Sequence, residues 1–109
     1  MVKKRHPEPV LLGALEEQVM LAVVRTGSDA YGMNVRRELE SITRREITIG
    51  SVYATLDRLE AKTLVASDRA SGSDGLSRRI FAVTALGVKS LELTRDTRHR
   101  LWDGVRLRV

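Results

Sequence analysis

From Val10 to Leu59 the apolar residues fall into three separate runs at helical spacing, and from Leu64 onward the pattern shortens to two strand-like stretches around a Ser-Gly-Ser-Asp-Gly turn. No other feature constrains the fold as strongly, because three short helices followed by one hairpin have few ways to bury their apolar sides together. In the first run, Val10 to Arg25, the residues Leu12, Leu15, Val19, Ala22 and Val23 make one stripe, and Leu11, Met20, Leu21 and Val24 widen it almost all the way round. A helix apolar on most faces must be covered on most faces. One face goes to the domain core, and the other points to a second subunit.

Gly27 is placed to end that helix, since glycine tolerates the left-handed conformation beyond a C-terminus. Ser28 or Asp29 is the expected cap of the second helix, in which Tyr31, Val35, Leu39 and Ile42 form the buried side and Arg36, Arg37, Glu38 and Glu40 the wet side. Thr48 is the expected cap of the third. Strands are expected at Leu64–Arg69 and Arg79–Val83, and Thr84 is expected to cap a last helix from about Ala85 to Gly104. The stripe of that last helix, Leu86, Leu91, Leu101, Trp102 and Val105, is interrupted by the polar run TRDTRHR. The order helix, helix, helix, strand, turn, strand, helix is that of a winged helix-turn-helix, an α+β fold that is mostly α.

The stretch ITIGSVYATLDRLEAKTLV, Ile47 to Val65, sets the function. Its apolar residues Ile49, Val52, Leu56 and Leu59 share one side. Nearly opposite lie Gly50, Ala54 and Ala61, flanked by Ser51 and Arg58 and, further round, by Thr55 and Lys62. A solvated helix face usually carries Glu and Lys; small residues there let a helix descend to the floor of a DNA major groove, which its amino-terminal residues meet first. Ser51 and Thr55 suit several base edges, and Arg58 suits a guanine or a phosphate. Thr48, the helix amino-terminus and Tyr53 are placed for backbone phosphates. The wing adds Arg69, Arg78 and Arg79, and Arg44 and Arg45 precede the helix on the same flank. Each element has a blander reading: Gly50 and Ala54 as close helix packing, Tyr53 as a core aromatic, Arg58 as a partner of Asp57, Arg78 and Arg79 as guards of a strand edge. Their order and common face favour DNA.

Composition agrees and excludes other classes. The chain has 109 residues, enough for one small domain, and its 19 Lys and Arg against 14 Asp and Glu permit a polyanionic partner. It has no cysteine, so disulfides, thiolate catalysis and thiolate-bound zinc are excluded. His6 sits on a basic amino-terminal arm and His99 on a polar helix face, with no nucleophile or carboxylate tied to either by spacing, so no enzyme and no cofactor is expected. The start, MVKKRHPEPVLLG, lacks the apolar run of a signal peptide, and nothing approaches the ~20 apolar residues of a membrane span, so a soluble cytoplasmic protein is expected. The KKRH arm and the final RLRV are read as solvated tails.

The residues also match a known pattern. The chain resembles the PadR family of bacterial transcription regulators from about Leu12 through Thr84 to Gly87. AYGMNVRRELE (30–40) is similar to that family's second helix, with its opening Tyr-Gly pair, and Ile47–Val65 to its recognition helix, with the Gly-Ser-apolar-Tyr core. SRRIFAVTALG (77–87) resembles its second wing strand and the Thr-x-x-Gly start of its last helix. The length resembles the compact subgroup with a single carboxy-terminal helix. The resemblance implies a homodimer paired through the first and last helices and a repressor on operator DNA, and two-fold symmetry then predicts a palindromic site; the chain is read as an arm (1–9), a winged helix-turn-helix (10–83) and a dimerisation helix (84–109). Some relatives take flat aromatic effectors at the dimer centre against a Trp of the last helix, a role that Trp102 is placed to fill; plain dimer packing is its simpler reading. A winged helix that binds protein and never DNA is the remaining alternative. Two positions depart from the family pattern: Thr63 stands where the family has Gly after the recognition helix, so the exit of that helix is expected to differ, and Ile80–Phe81 replaces paired aromatics.

Overall fold

The computed structural model describes residues 7–71 and 74–108, so the KKRH arm and the middle of the wing turn lie outside the described residues. Its elements are α1 (Ala14–Thr26), α2 (Gly32–Thr43), α3 (Ile49–Ala61), β1 (Val65–Ser71), β2 (Ser77–Val83) and α4 (Ala85–Trp102). The expected order holds: a mostly helical winged helix with one antiparallel hairpin. Val19, Met20 and Val23 of α1, Val35 and Leu39 of α2, and Val52, Leu56 and Leu59 of α3 meet Leu64, Val65 and Phe81 in one core. Each such burial contributes about 1.5–3 kcal/mol.

The first helix starts later than its apolar stripe predicts. Pro7 and Pro9 disfavour helix, and the amides of Val10 and Leu12 donate instead to Ser90 Oγ (3.1 Å) and Thr94 Oγ1 (3.0 Å) of α4. The segment before α1 is therefore a strap lying along α4. Helix proper begins after Gly13, whose N–H the Glu16 carboxylate accepts at 3.1 Å. Gly27 ends α1 with φ +60°, as expected.

Neither Ser28 nor Asp29 caps α2. Gly27–Asp29 form a single 3-10 turn, and Ala30 and Tyr31 then lie beside β2: Phe81 N–H donates to Ala30 O at 2.9 Å, and Tyr31, extended, bridges Ile80. This contact gives the wing a third short pairing partner, and α2 starts only after Tyr31. Thr48 does cap α3, accepting the Ser51 N–H at 3.1 Å. The turn between α2 and α3 is fixed from α2: Arg36 Nε donates to Ile47 O (2.8 Å) and Glu40 accepts Ile47 N–H (3.0 Å).

Thr63 adopts φ +60°. Its N–H donates to Glu60 O, and that of Leu64 to Leu59 O, so α3 leaves through the paired 5→2 and 6→1 bonds of a Schellman turn. The exit that was expected to change is kept, with threonine in the strained position. The hairpin pairs Val65 with Val83 through Ser71 with Ser77, so both strands reach nearer the tip than expected. Leu64 is buried ahead of β1, and its carbonyl accepts the Thr84 N–H.

Thr84 caps α4 by accepting Gly87 N–H at 3.1 Å. The side of α4 facing inward carries Gly87, Ser90 and Thr94, small or polar because it meets a backbone and the strap amides. Leu86 and Leu91 are half-buried, whereas Leu101, Trp102 and Val105 stand in solvent. Among the described residues no helix is long and apolar enough to cross a membrane.

Candidate nucleic-acid interface

The outward face of α3 is built from Gly50, Ser51, Ala54 and Arg58, all exposed. A Cβ added at Gly50 meets nothing closer than Thr48 Oγ1 at 4.0 Å. The fold therefore gives no internal reason for glycine there, and the close-packing reading of Gly50 fails within the chain. Thr48 Oγ1 donates to Ser51 Oγ at 2.9 Å, which leaves the Ser51 hydroxyl proton aimed at other acceptors. Arg58 donates to Thr55 Oγ1 at 3.2 Å rather than pairing with Asp57.

Thr55 corrects the sequence reading. It is 1% exposed, in the core between Val52 and Leu56, and its hydroxyl is used by Arg58. The helical wheel puts it at the border of the apolar sector, and the packing of α3 closes over that border, so Thr55 cannot reach a base. Lys62 is likewise committed: its Nζ lies 2.9 Å from Glu16 Oε2, tying the end of α3 to α1. That bond is the largest influence holding the Glu16 carboxyl below the usual range.

Tyr53 is half-exposed, with its ring packed over Gly32, where an added Cβ would lie 2.4 Å from Tyr53 Cζ. The Tyr-Gly pair thus serves two contacts: Tyr31 bridges to the wing and Gly32 makes room for Tyr53.

Two of the wing cations, Arg78 and Arg79, are not free. Arg78 makes a two-pronged bond to Asp74 (2.7 and 2.5 Å) and lies 4.5 Å over the Tyr31 ring. The Arg78 bond draws the Asp74 carboxyl down to about 2. Arg79 is held by Asp57 (2.9 Å) and Glu60 of α3 and by Ser67 Oγ (3.0 Å), and lies over Phe81. Arg79 therefore pins the wing to α3, a role that the sequence did not disclose because its partners lie 19 and 22 residues away. Arg69 and Arg37 are exposed, and neither has a carboxylate partner among the described residues. Arg37, assigned by its spacing only to the wet side of α2, shares a cleft with Tyr53 and the wing. Trp102 does not line this cleft; it is 57% exposed at the end of α4 beside His99 and Asp103.

A helix-turn-helix whose second helix shows a small, unoccupied face beside a pinned hairpin is a winged-helix protein of the DNA-binding type. The sequence model of the "Transcriptional regulator PadR-like family" matches residues 20–93, and the chain belongs to that family. It is a transcriptional regulator by that membership. A PadR-like transcriptional regulator from Bacillus cereus is similar in structure, with a TM-score of 0.73 and 21% identity over 84% of this chain and 86% of that one. A PadR family transcription regulator from Clostridium difficile has a TM-score of 0.66 and 20% identity over 83% of this chain and 93% of that one. A relative from Lysinibacillus sphaericus, described as "Uncharacterized protein X", is 26% identical over 80 residues, 72% of each chain.

Proposed function

We propose that the protein is a homodimeric repressor that binds a palindromic operator with α3 in the major groove and the wing along the adjacent backbone. The observation that carries this reading is the outward face of α3. Gly50, Ser51 and Ala54 are small and exposed, at the end of the helix that enters a groove first, and Gly50 has no packing reason within the fold. Ser51 and Arg58 are the base readers. Thr48 and Tyr53 face phosphates, and Thr55, Lys62 and Arg79 hold the reading head in shape.

Dimerisation is supported by apolar surface left open on α1 and α4. Leu21, Val24 and Val88 are 44%, 56% and 44% exposed, and Leu101 and Trp102 more so. Residues 10–83 form the reading unit and the outer face of α4 the pairing unit, with Trp102 packed at the dimer seam. Two-fold symmetry then places half-sites about 34 Å apart.

The test is binding to the duplex upstream of the protein's own gene and to a scrambled duplex across a salt series. Contacts to ~6–10 phosphates lose about 10³–10⁵ in affinity between about 50 and 200 mM salt. The parent should prefer the upstream duplex, and Ser51→Glu and Arg58→Ala should lose that preference. Equal binding of both duplexes by the parent would overturn the reading.

A further inference from the structure

Between α2, α3 and the wing lies an open cleft of about 410 Å³. Arg37 and Met33 enter it from α2, Tyr53 from α3 and Arg69 from β1, while the stacked pair of Tyr31 and Arg78 closes one wall. Its charges divide sharply. Arg78 is neutralised by Asp74, and Arg79 by Asp57 and Glu60. Arg37 donates only to the neutral Asn34 Oδ1, at 3.2 Å, and Arg69 has no ion-pair partner among the described residues.

The hairpin register sharpens the point. Arg69 stands directly opposite Arg79 on the neighbouring strand. Like charges in that position destabilise a sheet. The fold relieves one of them by drawing Arg79 to α3 and leaves Arg69 uncompensated at the mouth of the cleft. Arg37, Arg69 and Tyr53 line the same cleft, and neither of these two arginines has a carboxylate partner among the described residues.

We propose that the cleft seats one phosphodiester of duplex DNA, held by Arg37 and Arg69 with the Tyr53 hydroxyl as a further donor. The proposal rests on the DNA-binding reading and assigns the wing's phosphate contact to Arg69 and to α2, not to Arg78 and Arg79. Charge-assisted bonds from two guanidinium groups to one phosphate fix position and carry no sequence information.

The test compares the parent, Arg37→Ala, Arg69→Ala, the double variant, Tyr53→Phe and Ser51→Glu on the upstream and scrambled duplexes over a salt series. Lys89→Ala, the loss of one charge at an exposed residue of α4, is the control. Both arginines are exposed, so their variants should melt no lower than the parent, and a melt of every other variant checks that it is folded. Each single arginine variant should weaken both duplexes alike, by roughly tenfold. Tyr53→Phe should weaken both by a few-fold. The double variant should flatten the salt slope by about 0.9, the value of one phosphate, and not by about 1.8. A slope loss near 1.8 would mean two separate contacts, and a loss no greater than that of Lys89→Ala would mean an empty cleft; either overturns the seat. The regulator reading is judged separately, by whether the parent prefers the upstream duplex and Ser51→Glu does not.

Discussion

The Tyr53 ring fills the space in which a side chain on Gly32 would begin: a Cβ there would lie 2.4 Å from Cζ and 2.5 Å from Oη. These atoms are the far end of a half-exposed side chain, so they yield by swinging into solvent. Gly32→Ala should therefore leave stability within about 1 kcal/mol, the ring displacement being offset by the better helix former. DNA binding should fall to the level of Tyr53→Ala, because the phenol no longer stands where the cleft needs it. Denaturant melts and duplex titrations on the same sample decide. A stable Gly32→Ala that binds as the parent does would detach Tyr53 from DNA contact.

Gly87 has a different reason for lacking a side chain. An added Cβ would lie 2.1 Å from Leu64 O and 2.6 Å from Val83 Cγ1. A backbone carbonyl cannot swing away, so Gly87→Ala must push α4 off the hairpin base and should cost more than about 2 kcal/mol. Gly50→Ala meets only open space and should keep or raise stability while weakening preference for the upstream duplex. The opposite ranking in chemical denaturation would show that α4 is held less closely than its contacts imply.

Thr63 holds a left-handed turn that glycine adopts without strain. Two bonds steady it: Thr84 Oγ1 donates to Thr63 O at 2.7 Å, and Thr63 Oγ1 donates to Lys62 O at 2.6 Å. The first survives replacement by glycine. Thr63→Gly should therefore stabilise the protein, by about 1 kcal/mol from relief of strain less the entropy cost of glycine in the unfolded chain. No gain in the denaturation midpoint would mean that the hydroxyl bond matters more than the strain.

Acid should loosen the frame through three carboxylates. Glu16 is held low chiefly by Lys62, Glu60 chiefly by Ser67 and then Arg79, and Asp74 by Arg78 and the Leu76 N–H. All three titrate lower folded than unfolded, so in acid the unfolded chain binds more protons and stability falls as pH falls. The melting temperature should be flat down to about pH 5.5 and then decline through about pH 4.5. Glu16→Gln should melt lower at neutral pH and lose less on acidification. A variant with the parent's acid slope would remove Glu16 from this account.

What could be read in the sequence was whatever depends on neighbours. The helix spacing of Val52, Leu56 and Leu59, the Thr48 cap and the Gly27 stop are local, and the structure keeps them. What escaped depends on partners far along the chain. The strap is decided by Ser90 and Thr94, some 80 residues from the amides that they accept. Thr55 sits at an angle on the wheel where a small tilt of α3 separates core from groove. Arg78 and Arg79 look like DNA contacts by composition, and only the fold reveals Asp74, Asp57 and Glu60 beside them. Arg37 has no local mark at all; only the fold places it in one cleft with Arg69 of β1.

Leu21 and Val24 are the positions at which dimerisation is most directly tested. They line two apolar grooves at once, one shared with Ala22, Leu39 and Ile42 along α2 and one shared with Val88 and Leu91 along α4. A ridge between two troughs suits a two-fold contact, because the same patch can be both donor and receiver. Val24 is 56% exposed in the single chain, so Val24→Glu should change the monomer's stability by no more than about 0.5 kcal/mol. In a dimer the same carboxylate would be forced into an apolar seam, a cost of several kcal/mol. Sedimentation should show the parent at twice the chain mass and Val24→Glu at the chain mass. The parent's melting temperature should rise with concentration, and the variant's should not. Affinity for the upstream duplex should fall further than affinity for an isolated half-site, since only the dimer spans both. A parent that sediments as a monomer at operator-binding concentrations would leave α3 reading a single half-site, and the palindrome would go with the dimer.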